Sequence, residues 1–358
     1  MELTPKERFK LVTEHKDTDR PVIDFQAAPE ITEALKNYFR VDDNGLLDIL
    51  HIDVRHLGAE YIGPPLRTFP DGSREDMFGI RRKSIKAAVG TTFVETYNPI
   101  ASMKTIDDFR KGYSFPSYDY FDFKRIKERT KKNKKYVLMK GMIIWYLYFF
   151  LRGMEQALID MIANEEFYHY VMRAIADWWK GYMKRALEPA DGAIDYVIPY
   201  EDFGTNEGLM VSLNDIRNKI LIYYKDFAQI FSHYGAKFAF HSCGSIHQVI
   251  PDLIKLGVSI LDPIQVSANG MDIKILKDRY GNKLTFRGGI DTTELLPRRT
   301  KEEVKEKVKN TVDILGENGG YIFCSSNNIN ADTPIENVLA MYEVVLGNKF
   351  WEKNEKRI

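Results

Sequence analysis

The chain has 358 residues, 44% of them apolar and 28% charged, with 51 Lys+Arg against 51 Asp+Glu. That length exceeds a minimal domain and suits one elaborated α/β barrel, while the balanced charge provides no global field for nucleic acid or an anionic membrane. Two cysteines cannot build a disulfide framework, the charged start MELTPKERFK lacks a signal-peptide core, and the most apolar window, residues 136–151, is interrupted by Lys140 and Gly141 and is too short for a membrane span. Together these predict a soluble cytoplasmic protein.

Residues 3–16 read as an amphipathic helix opened by Thr4-Pro5, with Phe9, Leu11 and Val12 at apolar positions. Arg20-Pro21 stops it, and PVIDF (21–25) follows as a first strand. Residues 29–40 read as helix, and 46–57 as a helix end running into a strand. From about 58 to 114 the pattern changes. GPP, PDGS and the alternating FGIRRKSI and TTFVETY segments predict hairpins, with Asp71-Gly72-Ser73 as a tight turn. This stretch is expected as an insertion near a barrel mouth, within a single domain spanning 1–358. The basic run FKRIKERTKKNKK (123–135) is short and sits in a charge-balanced chain, so it reads as a solvated helix face rather than a nucleic-acid contact.

After Lys135 strands and helices alternate. Strands are predicted at 136–141, 195–202, 237–243, 259–265, 284–291 and 321–327. Helices are predicted at 143–188, 212–234, 245–256, 269–280 and 300–315, the last with a Thr300/Glu303 capping box. Thr333, Pro334 and Glu336 promise a similar start for the final helix, which stops near Gly347. Regular βα alternation implies a parallel sheet, and with two earlier strands the count reaches eight, a closed (β/α)8 TIM-type barrel. A doubly wound sheet is disfavoured because there is no G-x-G-x-x-G turn and polar residues recur at many strand ends.

The chemistry gathers at those ends. In KFAFHSCGS (237–245), His241 and Cys243 are two apart, hence on one strand face. An isolated H-x-C is more often a core histidine beside a buried cysteine. The other cysteine, Cys324 in GYIFCSSNN, also lies at a strand end, which turns the reading toward one zinc ion held by His241, Cys243 and Cys324. One carboxylate of Glu201 and Asp202 is a candidate fourth ligand or catalytic group. Asp202 is preferred, although alternation puts the two on opposite faces in an unknown register. Asp262, Gln265, Asp291 and Asn327-Asn328 occupy other strand ends, where they would line a pocket, hold the histidine tautomer or bind substrate. Trp145, in the aromatic cluster 145–150, reads mainly as core with one or two rings walling a pocket. The remaining histidines, His56 among them, show no paired spacing.

EDFGT, YGAKFAFHSCGSIHQVIPDLIKLGVSILDPIQ, GMDIKILKDRYGNKLTFRGGID and NADTPIENVLAMYE, with HIDVRHLGAEYIGPPLRTF and LRGMEQAL upstream, resemble the uroporphyrinogen decarboxylase superfamily. The resemblance implies a TIM-type barrel with its cleft at the strand C-termini. Decarboxylases of that superfamily carry an N-terminal Arg-rich motif for the substrate's carboxylates. The corresponding PVIDFQAAPEI has no arginine, and their C-terminal histidine corresponds to Asn327 or its neighbour. The branch of methylcobalamin:coenzyme M methyltransferases and related corrinoid enzymes binds zinc through His-x-Cys…Cys, matched by His241, Cys243 and Cys324. What the resemblance implies is a zinc-dependent methyltransferase acting with a methylcorrinoid on a partner protein and a small methyl donor or thiol acceptor. Trp145, Gln265, Asp291 and Asn327 would be its substrate-binding residues. Porphyrinogen-type decarboxylation is the alternative.

Overall fold

The computed structural model describes residues 2–353. Eight strands, β1 (Val22–Ile23), β2 (Val54–His56), β3 (Val137–Met142), β4 (Tyr196–Pro199), β5 (Lys237–His241), β6 (Ile260–Ile264), β7 (Thr285–Ile290) and β8 (Tyr321–Ser325), lie in the order β1-β8-β7-β6-β5-β4-β3-β2. Every neighbouring pair is parallel. Helices return the chain between the strands, so the architecture is the (β/α)8 TIM-type barrel. The seam between β1 and β2 closes through one residue. The Asp53 N–H donates to Ile23 O at 2.9 Å, and the Asp53 carboxylate accepts the Ile23 N–H at 2.8 Å.

Alternation sends every second strand side chain into the barrel, where Val22, Val54, Met139, Ile198, Ala239 and Ile322 meet. Intervening side chains such as Val197, Phe240 and Phe323 pack outward in the core shared with the helices. The opening helix, Pro5–Thr13, is capped by Thr4 and Glu7 in a capping box. Its Phe9 and Val12 plug the N-terminal end of the barrel, Phe9 stacking on Tyr196 with ring centroids 5.6 Å apart.

The excursion between β2 and β3 carries the expected hairpin as a three-stranded antiparallel sheet, Arg74–Glu75, Arg81–Lys86 and Thr91–Tyr97. Asp71 accepts from the Ser73 N–H and hydroxyl, forming the expected tight turn. The basic run forms the short helix Ile126–Lys132, whose lysines are exposed.

Three helix expectations change. The span 143–188 is three helices, Trp145–Arg152, Met154–Ala163 and Glu165–Ala190. Gly153, at φ 86°, ends the first and starts the second while the buried face continues across the break, so apolar periodicity alone cannot register it. The segment predicted over 212–234 reaches Lys225–His233 only after a π turn at Ile216–Ile220 and a 3₁₀ turn at Leu221–Tyr224. The final helix, Ile335–Leu346, lacks the expected threonine cap because Pro334 itself occupies the capping position. Thr333 stands one residue too early, and its hydroxyl is buried without a partner. Among the described residues no helix is long and apolar enough to cross a membrane.

Candidate metal centre

β4 runs on into Tyr200, Glu201 and Asp202, and its alternation decides which carboxylate can act. Glu201 turns away from the barrel axis and is fully buried, accepting the Ile144 N–H at 2.6 Å and the Tyr146 N–H at 2.8 Å. It thus satisfies backbone donors at the start of helix Trp145–Arg152, where a carboxylate is favoured. Burial pushes its carboxyl up to about 7, partly offset by hydrogen bonds from Tyr224 and these N–H groups. Asp202 turns inward. It joins His241 and Cys243 in a cluster whose ligand atoms all lie within 4.8 Å of one another. The Cys243 sulfur is 3.5 Å from His241 Nε2, and Asp202 Oδ1 is 3.7 Å from that nitrogen.

Two glycines hold the loops that carry this cluster. At Gly244, φ +85°, a side-chain carbon would fall 2.4 Å from the Gly204 carbonyl carbon, and at Gly204 it would fall 2.8 Å from Ser245 N. Only glycine allows this crossing. Around it the Cys243 N–H donates to Asp202 Oδ1 at 2.8 Å, the Phe203 N–H to Ser242 Oγ at 2.8 Å, and the Ser245 N–H to Thr205 O at 2.7 Å. The β4 and β5 ends are therefore stitched together, and Asp202 sits beside Cys243 for that reason.

Beneath the cluster lies a buried charge chain. His241 Nδ1–H donates to Asp262 Oδ2 at 2.5 Å; the other Asp262 oxygen pairs with Arg287, which reaches Asp24 at 2.8 Å. Burial alone would raise Asp262, but Arg287 and His241 hold it below the ordinary carboxylate range. An anionic Asp262 accepting at Nδ1 leaves the Nε2 lone pair free to face Cys243 and Asp202. Imidazole nitrogen, thiol sulfur and carboxylate oxygen, with the imidazole tautomer set from behind, fit a borderline divalent ion such as zinc. Burial first, then the Asp202 and Asp262 carboxylates, push the Cys243 thiol well above its ordinary value. Without a cation it stays protonated.

Cys324 stands apart from the cluster of three. It points into the barrel but is fully buried on the rung of Gly289, with Arg287, Asp24 and Asp262 as charged neighbours. Burial pushes its thiol up to about 12. Its sulfur is not among the three ligand atoms that lie within 4.8 Å of one another, where Asp202 stands with His241 and Cys243.

The cluster opens into a chamber of about 630 Å³ walled by Phe25, Tyr200, Leu46 and His56, with Asn327 and Asn328 at its rim. Asn327 Nδ2 donates toward the Cys243 sulfur at 3.6 Å. Asn327 and Asn328 also face a second cavity of about 530 Å³, which is bordered by Gln265, Asp291 and the hairpin tip around Gly90. Gln265 accepts the Gly244 N–H at 2.8 Å, and Asp291 accepts from the Thr293 N–H and hydroxyl, both at 2.8 Å. Trp145 is fully buried against Phe149 and Phe203 and reaches neither cavity; the cluster's ring near Asp202 belongs to Tyr146. His56, which spacing did not single out, faces the chamber from the end of β2; being at a strand C-terminus was the available signal. Partial desolvation lowers its basicity, although the ring keeps an exposed face. A larger cavity, about 920 Å³, lies at the opposite end by Arg8, Arg20 and Asp53, whose charges are mutually paired.

The family model described as Uroporphyrinogen decarboxylase (URO-D) matches residues 91–347. A uroporphyrinogen decarboxylase from a Nitratiruptor species is 22% identical over 256 residues, 68% of this chain and 70% of that protein. A methionine synthase from Methanothermobacter thermautotrophicus is 31% identical over 83 residues, 23% of this chain and 26% of that protein. Among solved structures, a methyltransferase from Methanosarcina mazei superposes with a TM-score of 0.69 at 14% sequence identity, covering 96% of this chain and 98% of that one. At that identity the likeness is one of fold.

Proposed function

The chain belongs to the uroporphyrinogen decarboxylase family, and within it we propose that this protein is a zinc-dependent methyltransferase moving a methyl group between a corrinoid on a partner protein and a small thiol or other methyl acceptor or donor. The observation that carries the reading is the convergence of Asp202, His241 and Cys243 at the barrel mouth. His241 and Cys243, with Cys324 from β8, are the residues that would hold zinc, and Asp202 beside them would be the fourth group, at the position open to a substrate. A zinc ion held there would supply Lewis acidity that lowers the pKa of a substrate thiol toward neutrality. Asp262 keeps His241 in its ligand tautomer, Asn327 steadies the Cys243 sulfur, and the Phe25 and Tyr200 walls keep water from the reacting sulfur. In the thiol-methylating direction a sulfur–methyl bond forms and a cobalt–methyl bond breaks, its electron pair leaving with cobalt as Co(I) and the thiol proton passing to solvent.

The decarboxylase alternative calls for several arginines to hold the carboxylates of a porphyrinogen. Among the described residues, neither cavity at the barrel mouth is lined by an arginine or lysine, which favours methyl transfer. Metal analysis of the purified protein tests the reading. Stoichiometric zinc is expected in the wild type, more than tenfold weaker retention in Cys243→Ser, and a measurable drop in Cys324→Ser. Wild type purified without zinc under metal-replete conditions, or Cys243→Ser binding zinc as tightly as wild type, would overturn it.

A further inference from the structure

Resting on that methyl-transfer reading, we propose that the small-molecule substrate of this centre carries no negative charge, and that the site selects uncharged or cationic molecules over anions of the same size. The two cavities are neighbours that share Ala27, Asn327 and Asn328 in their walls. Among the described residues their polar lining is amides such as Asn327 and Asn328, hydroxyls such as Thr32 and Ser326, and two imidazoles, His241, which Asp262 holds from behind, and His56, whose basicity desolvation lowers. Their acidic members are Asp43, Asp202 and Asp291. Asp43 is paired with Lys36 at 2.9 Å, and that lysine does not border either cavity. Arg287, beneath His241, is 1% exposed and fully engaged by Asp24 and Asp262, so it cannot turn to a ligand.

The centre itself adds no positive field. The two charges of a divalent ion are matched by Asp202 and Cys243, and exceeded once Cys324 is counted. A substrate thiol that ionises there brings a further negative charge. A second anionic group a few ångströms away would be desolvated against like charge with amides, hydroxyls and the weakly basic His56, but no lysine or arginine among the described residues, to meet it. An alcohol finds donors and acceptors in the same place, and an ammonium finds carboxylates as well.

Cobalt(II)-substituted protein gives the test, because thiolate binding changes the cobalt absorption spectrum without any turnover. Three thiols of equal length, 2-mercaptoethanol, 2-aminoethanethiol and 2-mercaptoethanesulfonate, are titrated at one pH and low salt. The alcohol and the amine are expected to bind at least tenfold more tightly than the sulfonate. In Asn328→Lys, which places a cation in the shared wall, the sulfonate should gain about tenfold relative to the alcohol. Sulfonate affinity equal to or above that of the alcohol in the wild-type protein overturns the charge selection, as does an unchanged ratio in Asn328→Lys. If cobalt is bound stoichiometrically and none of the three thiols alters its spectrum, the thiol-directed reading itself falls, and the charge selection with it.

Discussion

Asp262 serves two groups at once: one oxygen fixes the imidazole of His241 and the other neutralises Arg287. Replacing it by asparagine keeps the shape but removes the charge that polarises the imidazole and holds the guanidinium. Zinc affinity of Asp262→Asn, measured by competition with a chromophoric chelator, should fall about 10- to 100-fold, the usual effect of losing the partner behind a metal-ligating histidine. Unchanged affinity would mean that His241 does not ligate through Nε2. The spacing of His241 and Cys243 was legible in the sequence because strand parity alone places them on one face. Asp262 was legible only as a polar strand end. The choice between Glu201 and Asp202 needed a register that Pro199 and Tyr200 do not reveal. Arg287 gave no sign at all: an arginine inside LTFRGG has no periodic signature, and its partners, Asp24 and Asp262, are distant in sequence. Cys324 was legible as a strand end, but its full burial was not.

At the scale of elements, two threonines of similar sequence setting end in opposite states. Thr300 accepts the Glu303 N–H, while Glu303 Oε2 accepts the Thr300 N–H at 2.8 Å, so helix Lys301–Gly316 starts on a complete capping box. Thr300→Ala should therefore cost about 1 kcal/mol. Thr333 is 4% exposed and its hydroxyl has no partner. Thr333→Val replaces that buried hydroxyl by a methyl of like shape and is expected to be neutral or stabilising by up to about 1 kcal/mol. Urea midpoints at constant m-value measure both; a loss above about 1 kcal/mol in Thr333→Val would show that the hydroxyl is bonded after all. The elements most legible in the sequence were those with local signals: the eight strand segments between polar ends, the Asp71 turn, the Thr300 cap. The breaks at Gly153 and in the π turn were hidden because the apolar face runs through them. The hairpin was predicted as such, but its tip lies over the second cavity through contacts of Gly90 with Glu30 and Ala331, far apart in the chain.

For the whole molecule, the two ends of the barrel divide stability from chemistry. The C-terminal end holds the candidate metal cluster and the two cavities beside it, while the N-terminal end is closed by the Pro5–Thr13 plug and an ion cluster centred on Asp53. That carboxylate is 1% exposed, pairs with Arg8 at 3.0 Å and Arg20 at 2.6 Å, and accepts the Ile23 N–H across the β1–β2 seam. Arg8 keeps a second partner, Asp19, at 2.8 Å. Removing Asp53 strips one buried cation of half its compensation, exposes Arg20 to an unpaired position and leaves a strand N–H without an acceptor at the point where the barrel closes. Breaking a buried pair of this kind costs about 3–5 kcal/mol. Asp53→Ala should show that loss in urea unfolding, whereas Arg20→Ala, whose side chain is 14% exposed, should lose about half as much because water reaches the vacancy. Because the seam and the metal cluster share no partners, folded Asp53→Ala should keep wild-type zinc stoichiometry. A shift below about 1 kcal/mol would mean that the backbone bond at Ile23 closes the barrel unaided. Zinc lost from protein that is still folded would mean that the two ends are coupled through the barrel wall, and that the seam sets the spacing of strand ends at the mouth as well as the stability of the fold.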